Sequence, residues 1–166
     1  MKQTIFILAA AIAFFSASIS CTAPATENTT TLPNGYRDWS LISVAHEEGQ
    51  LNDLRAMLGN NTAIEAYRKG KRPFPDGAII ARVAWRYDSL PESTKAFGHH
   101  QSFVAGPPKN GVQFMIKDAK KYAATGGWGF AQFNDGKPVK SITLSNCFSC
   151  HNIVKDRDFI FTSYAP

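Results

Sequence analysis

The segment Cys147-Phe148-Ser149-Cys150-His151, near the C-terminus, constrains this chain more than any other part of its sequence. Residues three apart on a helix point the same way, so both thiols can reach one partner. The spacing is that of a c-type haem attachment motif, in which two cysteines form thioethers with the haem vinyl groups. The histidine that follows is then placed as the proximal ligand of the iron. The motif predicts one covalent haem c, bound through Cys147, Cys150 and His151, with His151 as the metal ligand.

Three other kinds of site use closely spaced cysteines, and each fits less well. A thioredoxin-type redox pair belongs to a βαβ unit, which the sequence does not indicate. A structural zinc site needs four ligands, and His46, His99 and His100 come with no second cysteine pair. A disulfide within the motif is compatible with an oxidising compartment, but it leaves the histidine unexplained.

Residues 1–21 have the plan of a signal peptide. Lys2 precedes an uncharged apolar run over residues 5–15, and the next ten residues are mostly small. The run is too short for a confident membrane span. We therefore expect export across the inner membrane to the periplasm, where bacterial c-type haem attachment takes place.

The third cysteine, Cys21, leaves two outcomes open. It stands where a bacterial lipoprotein carries its acylated cysteine, which would anchor the protein to a membrane. Alternatively, Ala23 and Ala25 form an Ala-x-Ala cleavage pattern that would remove it. In either case residues 22–35 are predicted to be a flexible polar lead-in. Residues 36–166 then form one domain, which is a usual size for a single core.

Charge and composition exclude some classes of partner. The net charge of +5 comes from scattered basic residues, and no nucleic-acid-binding motif is present. The densest basic cluster is interpreted as a solvated loop, or alternatively as a docking patch for an acidic partner. It consists of Arg68, Lys69, Lys71 and Arg72. A redox partner protein is a separate expectation for a cytochrome.

Hydrophobic periodicity predicts an α+β fold: a mainly antiparallel β-sheet with a few short helices and a C-terminal haem-attachment helix. Strands and helices mix without the strict alternation of a parallel sheet. The predicted strands cover residues 39–45, 78–87, 101–105, 112–117 and 128–133. The predicted helices cover residues 61–69 and 118–124, and residues 141–151 are expected to be helical near their end.

The sixth ligand of the iron would decide what a haem at this motif does. A methionine or a second histidine gives a six-coordinate electron carrier, whereas an apolar wall leaves the iron open to a small ligand. Met57 and Met115 are available, but both lie in apolar runs that suit a core. The residues alone leave the coordination open.

The order of several short motifs resembles the cytochrome P-460 family from about residue 36 to residue 166. That family implies a β-rich α+β fold, usually a homodimer, with a pentacoordinate haem. One kind of member oxidises hydroxylamine and carries a bond from a lysine to the haem macrocycle. The other kind, cytochrome c′-β, lacks that bond and binds nitric oxide or other small gases. The motifs are Tyr36-Arg37-Asp38-Trp39, Phe74-Pro75-Asp76-Gly77, Ile116-Lys117-Asp118, Gly127-Trp128-Gly129-Phe130, the haem motif, and Asp158-Phe159-Ile160-Phe161-Thr162.

Two positions separate these kinds of member. The cross-linking lysine matches Arg82, whose guanidinium keeps its proton and is a poor nucleophile. The carboxylate of the hydroxylamine-oxidising kind, a natural general base, matches Gln113. Both differences favour cytochrome c′-β.

Two further residues match haem-pocket positions of the family. Arg55 matches a distal-pocket arginine, with a surface arginine as the alternative. Phe74, between Pro73 and Pro75, matches an aromatic that caps the distal side, with core packing as the alternative. An apolar cap would disfavour water and anions at the iron while admitting NO.

The sequence therefore predicts an exported mono-haem cytochrome that binds nitric oxide or a similar gas, for sequestration, sensing or detoxification. The first alternative is an enzyme, an oxidoreductase that acts on hydroxylamine or nitric oxide. The second is a simple periplasmic electron carrier. A lysine–haem bond would favour the enzyme, and a sixth ligand from the protein would favour the carrier.

Overall fold

A computed structural model describes residues 29–165 of the chain. The predicted signal peptide and Cys21 lie outside these residues. The described part contains one six-stranded sheet in which every neighbouring pair is antiparallel. This arrangement confirms the predicted α+β class. The strands are β1 (Ser40–Glu47), β2 (Asp53–Gly59), β3 (Ile79–Ser89), β4 (Phe103–Lys117), β5 (Trp128–Asn134) and β6 (Lys137–Pro138).

Among the described residues, three short α-helices and three segments of 3-10 helix accompany the sheet. The α-helices are α1 (Asn61–Arg68), α2 (Pro91–Phe97) and α3 (Leu144–His151), and the 3-10 segments are Tyr36–Asp38, Ala123–Thr125 and Asn152–Arg157. Within residues 29–165, none of the helices has the length and apolar character needed to cross a membrane.

The two faces of the sheet contribute to two hydrophobic clusters, because successive side chains of a strand alternate between faces. In β3, Ile80 belongs to a cluster shared with α1 and α3, and Ala81 and Val83 belong to the other. The second cluster is covered by aromatic residues from the segment that precedes β1, including Tyr36 and Trp39. The first cluster lies on the side of the sheet that carries the haem motif.

Two predicted elements differ from the structure. Residues 118–124 do not form an α-helix: Asp118 closes a single turn through its carbonyl and side chain, and only Ala123–Thr125 is helical, as 3-10. Gly126 and Gly127 follow with positive φ, so the chain turns directly into β5. The two strands predicted over residues 101–105 and 112–117 form one long strand, β4, which begins at Phe103. Register shifts near Pro108 accommodate the missing N–H of proline.

Candidate haem site

Helix α3 carries the three residues of the haem motif in its last two turns. It begins with a capping box, in which Thr143 Oγ1 accepts from Asn146 N and Asn146 Oδ1 accepts from Thr143 N at 3.1 Å. The predicted helix over the end of residues 141–151 is thereby confirmed. Within it, Cys147 is half-buried against the first hydrophobic cluster and Cys150 is exposed, and the two sulfurs form no disulfide with each other.

These thiols border a cavity of about 320 Å³ between α3 and the sheet. His151 lines the same cavity, together with Phe130 from β5. The structure therefore brings together the three residues that the motif predicts, and it places them against an apolar wall. Burial raises the pKa of the Cys147 thiol, with a smaller contribution from Cys150. A redox pair needs the opposite shift, toward a thiolate.

The ring of His151 is fixed by one hydrogen bond and two aromatic neighbours. Nδ1 lies 2.7 Å from the backbone oxygen of Phe159. A carbonyl only accepts, so Nδ1 carries the proton and the lone pair of Nε2 is free for a metal. The rings of Phe130 and Phe161 lie 4.9 and 5.2 Å away. Burial lowers the pKa of His151 below its ordinary value, which favours the neutral form that binds metals.

A larger cavity of about 700 Å³ adjoins the first one. The two cavities share some of their lining residues. Arg55 and Glu47 line the larger cavity but not the smaller one. Volumes of this size are usual for cofactor sites. The shared residues, apart from His151, come from the three central strands β2, β3 and β4: Met57, Ile80, Arg82, Gln113 and Met115.

Three of these shared residues stand in one row across the sheet. Met57 pairs with Arg82, Arg82 with Gln113, and Gln113 with Gln132 of β5. Arg82 Nη1 donates to Gln113 Oε1 at 3.0 Å, and Gln113 Nε2 donates to Gln132 Oε1 at 2.7 Å. Met57 and Met115, expected as core residues, thus also face the two cavities.

Asp53 holds both arginines of the site. Its side chain is fully buried; Arg82 Nη2 lies 2.6 Å from Oδ2, and Arg55 Nε lies 2.8 Å from Oδ1. Arg55 Nη1 also reaches Glu47 at 3.1 Å. Burial, and next the neighbouring Arg55, lower the pKa of Arg82, whereas Asp53 raises it. The paired acids oppose the cost of placing two cations beside an apolar cavity.

Arg55 keeps one donor free for a ligand. Its Nη2 is buried and has no hydrogen-bond partner among the described residues. Arg55, which matches a pocket position of the family, does line the larger cavity, whereas Asp53 and Glu47 were not predicted from the sequence. The available signal was the alternation of Asp53 and Arg55 with Leu54, which places the acid and the base on one face of a strand.

Phe74 lies apart from this group. Its ring packs 4.9 Å from Tyr67 and 5.8 Å from Trp128, and its backbone N–H donates to Asp158 Oδ2 at 2.7 Å. It lines neither of the two cavities. These contacts correspond to core packing, the alternative considered for this residue.

The residues present fit a haem. Two thiols and a neutral histidine meet at one rim, apolar and aromatic side chains form the wall, and Arg55 offers an unpaired donor that suits an acidic group. Within residues 29–165, no group of three or more His, Cys, Asp and Glu residues is arranged to hold a metal ion.

Comparison with known proteins agrees with this geometry. The family model of cytochrome P460 matches residues 33–162, which is most of the chain. A comparison with curated proteins finds no match. The family implies a cytochrome that binds haem, and the site described above provides the residues for it. On this match, the chain belongs to the cytochrome P460 family.

Proposed function

We propose that the protein is an exported c-type cytochrome that binds nitric oxide or a similar small gas, for sequestration, sensing or detoxification. In this proposal Cys147 and Cys150 hold a single haem through thioethers, and His151 is the only protein ligand of its iron. The observation that carries the proposal is the lining of the cavities. Among residues 29–165, no lysine lines either cavity, and Arg82 is engaged by Asp53 and Gln113.

Each part of the site has a role in this function. When bound, haem supplies an iron centre with an open position for a diatomic ligand. His151, kept neutral by burial, provides the proximal nitrogen. The apolar side chains of Met57, Ile80 and Met115 disfavour water and anions near that centre, and they admit uncharged NO.

Acidic organic extraction of the denatured protein tests the covalent haem. The unmodified protein should keep its haem in the protein fraction, and Cys147→Ala with Cys150→Ala should lose it. Ser149→Ala is the matched control, because Ser149 lies between the two cysteines and is exposed. Haem that extracts freely from the unmodified protein would contradict the attachment.

Optical spectra of the ferrous protein, with and without NO, test the ligand. We expect a five-coordinate high-spin spectrum that changes on addition of NO. A ferrous spectrum that NO leaves unaltered would rule out gas binding.

A second candidate function is oxidation of hydroxylamine, which one feature of the site favours. Glu47 lines the larger cavity, so a carboxylate is present there even though Gln113 is an amide. In the structure the carboxylate of Glu47 is already engaged by Arg55 at 3.1 Å. Steady turnover of hydroxylamine with an artificial electron acceptor, lost in Glu47→Gln, would support this function over the first.

We further propose periplasmic localisation, with residues 1–21 as the signal peptide. Labelled fatty acid that appears in the mature protein, and is absent in Cys21→Ala, would establish a lipid anchor. A mature N-terminus beyond Cys21 would exclude it.

The resemblance also supports a homodimer, and a cytochrome of this kind would exchange electrons with a redox partner protein. Light scattering of the purified protein tests whether it is a homodimer. A monomeric mass at micromolar concentration would contradict it.

A further inference from the structure

Behind the haem motif, on the side of His151 Nδ1, lies a buried ion pair that the proposed function does not use. Lys117 Nζ lies 2.8 Å from Asp158 Oδ1, and the two side chains are only 5% and 6% exposed. Lys117 Nζ also donates to the carbonyl of Gly126 at 3.0 Å and lies 4.8 Å from the ring centre of Trp128. The second carboxylate oxygen of Asp158 accepts from Phe74 N. All the polar atoms of the pair are therefore engaged.

This pair joins segments that are distant in the sequence. Lys117 ends β4, Phe74 precedes β3, Gly126 precedes β5, and Asp158 follows the last 3-10 segment. Four of the motifs that carried the family resemblance begin or end next to these contacts. The pair therefore connects the end of β4 and the segments before β3 and β5 to the turn that follows the haem motif.

Asp158 and the next residue, Phe159, have an unusual backbone. Both have positive φ, 54° and 63°. Positive φ costs free energy for residues other than glycine, and it persists only where the surroundings impose it. The ion pair and the Phe74 N–H hold the side chain of Asp158. The Phe159 ring lies against Gly126, where any Cβ would overlap it, and 5.5 Å from the ring of Phe148.

This held turn carries the proximal hydrogen bond. The carbonyl of Phe159 is the group that accepts from His151 Nδ1 at 2.7 Å. The direction of that carbonyl depends on the backbone of Asp158 and Phe159, which the Lys117–Asp158 pair fixes. A stabilising role alone explains the pair poorly, because buried ion pairs often contribute little net stability compared with apolar side chains of similar size.

We infer that Lys117 and Asp158 are positioning residues that aim the Phe159 carbonyl at His151 and thereby tune the iron. The inference rests on the proposed function, in which His151 is the proximal ligand. A firm hydrogen bond from Nδ1 makes the imidazole a more basic ligand. A more basic ligand strengthens the iron–histidine bond and favours the ferric state, which lowers the reduction potential.

Three variants of the holoprotein test this inference. Lys117→Met and Asp158→Asn each remove one charge, and the double variant removes both, so that no unpaired buried charge endangers folding. Asp158→Asn also keeps an oxygen for Phe74 N. Ile42→Val is the control for loss of packing. Ile42 is fully buried in the first hydrophobic cluster, which also contains Phe74 and Trp128, and it lines neither cavity.

The measurements are the midpoint reduction potential and the iron–histidine stretching frequency of the ferrous protein. We expect all three variants to retain haem, with a higher potential and a lower frequency than the unmodified protein and Ile42→Val. A double variant that matches Ile42→Val in both values would overturn the inference. If the proposed function fails instead, the haem of the unmodified protein is extractable, or its ferrous spectrum shows no iron–histidine stretching band from His151.

Discussion

Arg82 and Gln113 are direct partners across β3 and β4, and Arg82 Nη1 donates to Gln113 Oε1 at 3.0 Å. These are the two positions that we matched to the cross-linking lysine and the carboxylate of hydroxylamine-oxidising members. Their contact means that the two differences from those members belong to one local arrangement. Asp53 completes it, since it binds Arg82 from β2.

The first prediction concerns Arg82. Mass analysis of the haem peptide from the unmodified protein should show thioethers at Cys147 and Cys150 and no third attachment, because arginine does not release the proton that a nucleophile must lose. Arg82→Lys introduces a side chain whose pKa can fall on burial. We expect its hydroxylamine turnover to stay near background, because Gln113 remains an amide and the carboxylate of Glu47 stays paired with Arg55. A cross-link in the unmodified protein would show that another residue is the lysine of the family.

The second prediction concerns the two methionines that line the cavities. Met57→Leu and Met115→Leu conserve volume and should cost less than about 1.5 kcal/mol of unfolding free energy. If His151 is the only protein ligand, neither change alters the five-coordinate ferrous spectrum. A low-spin, six-coordinate spectrum that becomes high-spin in one of these variants would instead identify an electron carrier, with that thioether as sixth ligand.

The third prediction concerns the buried carboxylate beneath the arginines. Asp53→Asn leaves Arg82 without its charge partner and leaves Arg55 with Glu47 alone. We expect a loss of about 3–5 kcal/mol in urea unfolding. Glu65→Gln is the matched control. It removes the exposed pair with Lys69 and should cost less than about 1 kcal/mol. Equal losses in the two variants would show that Asp53 is not an essential partner.

The fourth prediction concerns Tyr67, whose hydroxyl donates to the carbonyl of Thr162 in the C-terminal segment. Burial raises the pKa of Tyr67 from 10.0 to about 12. The unfolded chain therefore releases this proton first as the pH rises. The stability that depends on the neutral phenol is complete below pH 10 and is lost between pH 10 and about 12.

Unfolding free energies of the unmodified protein and Tyr67→Phe, measured from pH 9 upward, test this prediction. The unmodified protein should lose stability more steeply than the variant above pH 10, by up to about 1.4 kcal/mol per pH unit. Parallel curves would contradict the assignment of that loss to Tyr67.

The sequence was informative where the signal is local. The attachment helix follows from Cys147, Cys150 and His151, whose spacing requires one helical turn, and the structure confirms it. The antiparallel sheet follows from short alternating runs. Strand β2 was not predicted, because charged residues interrupt its apolar alternation. Asp53 and Arg55 lie on the same face of the strand as Met57, toward the first hydrophobic cluster, where apolar residues are expected.

Contacts between distant residues could not be predicted in the same way. Asp53 and Arg82 neutralise each other from adjacent strands, and Lys117 and Asp158 do so from opposite ends of the last third of the chain. In a sequence each of these residues resembles a solvated charge. Only the folded chain brings in the oppositely charged partner that offsets the free-energy cost of burying the charge.

The strand order of the sheet bears on how the protein acquires its cofactor. Each strand pairs with the one that follows it in the chain, so the strands can associate in the order in which they occur in the sequence. Helix α3 and the C-terminal segment come after all six strands, and Ala165 N donates back to Ile42 O in β1 at 2.9 Å. We therefore expect the cysteines to remain accessible to the attachment machinery while the sheet assembles, with closure of the C-terminal segment against β1 as the final step of maturation.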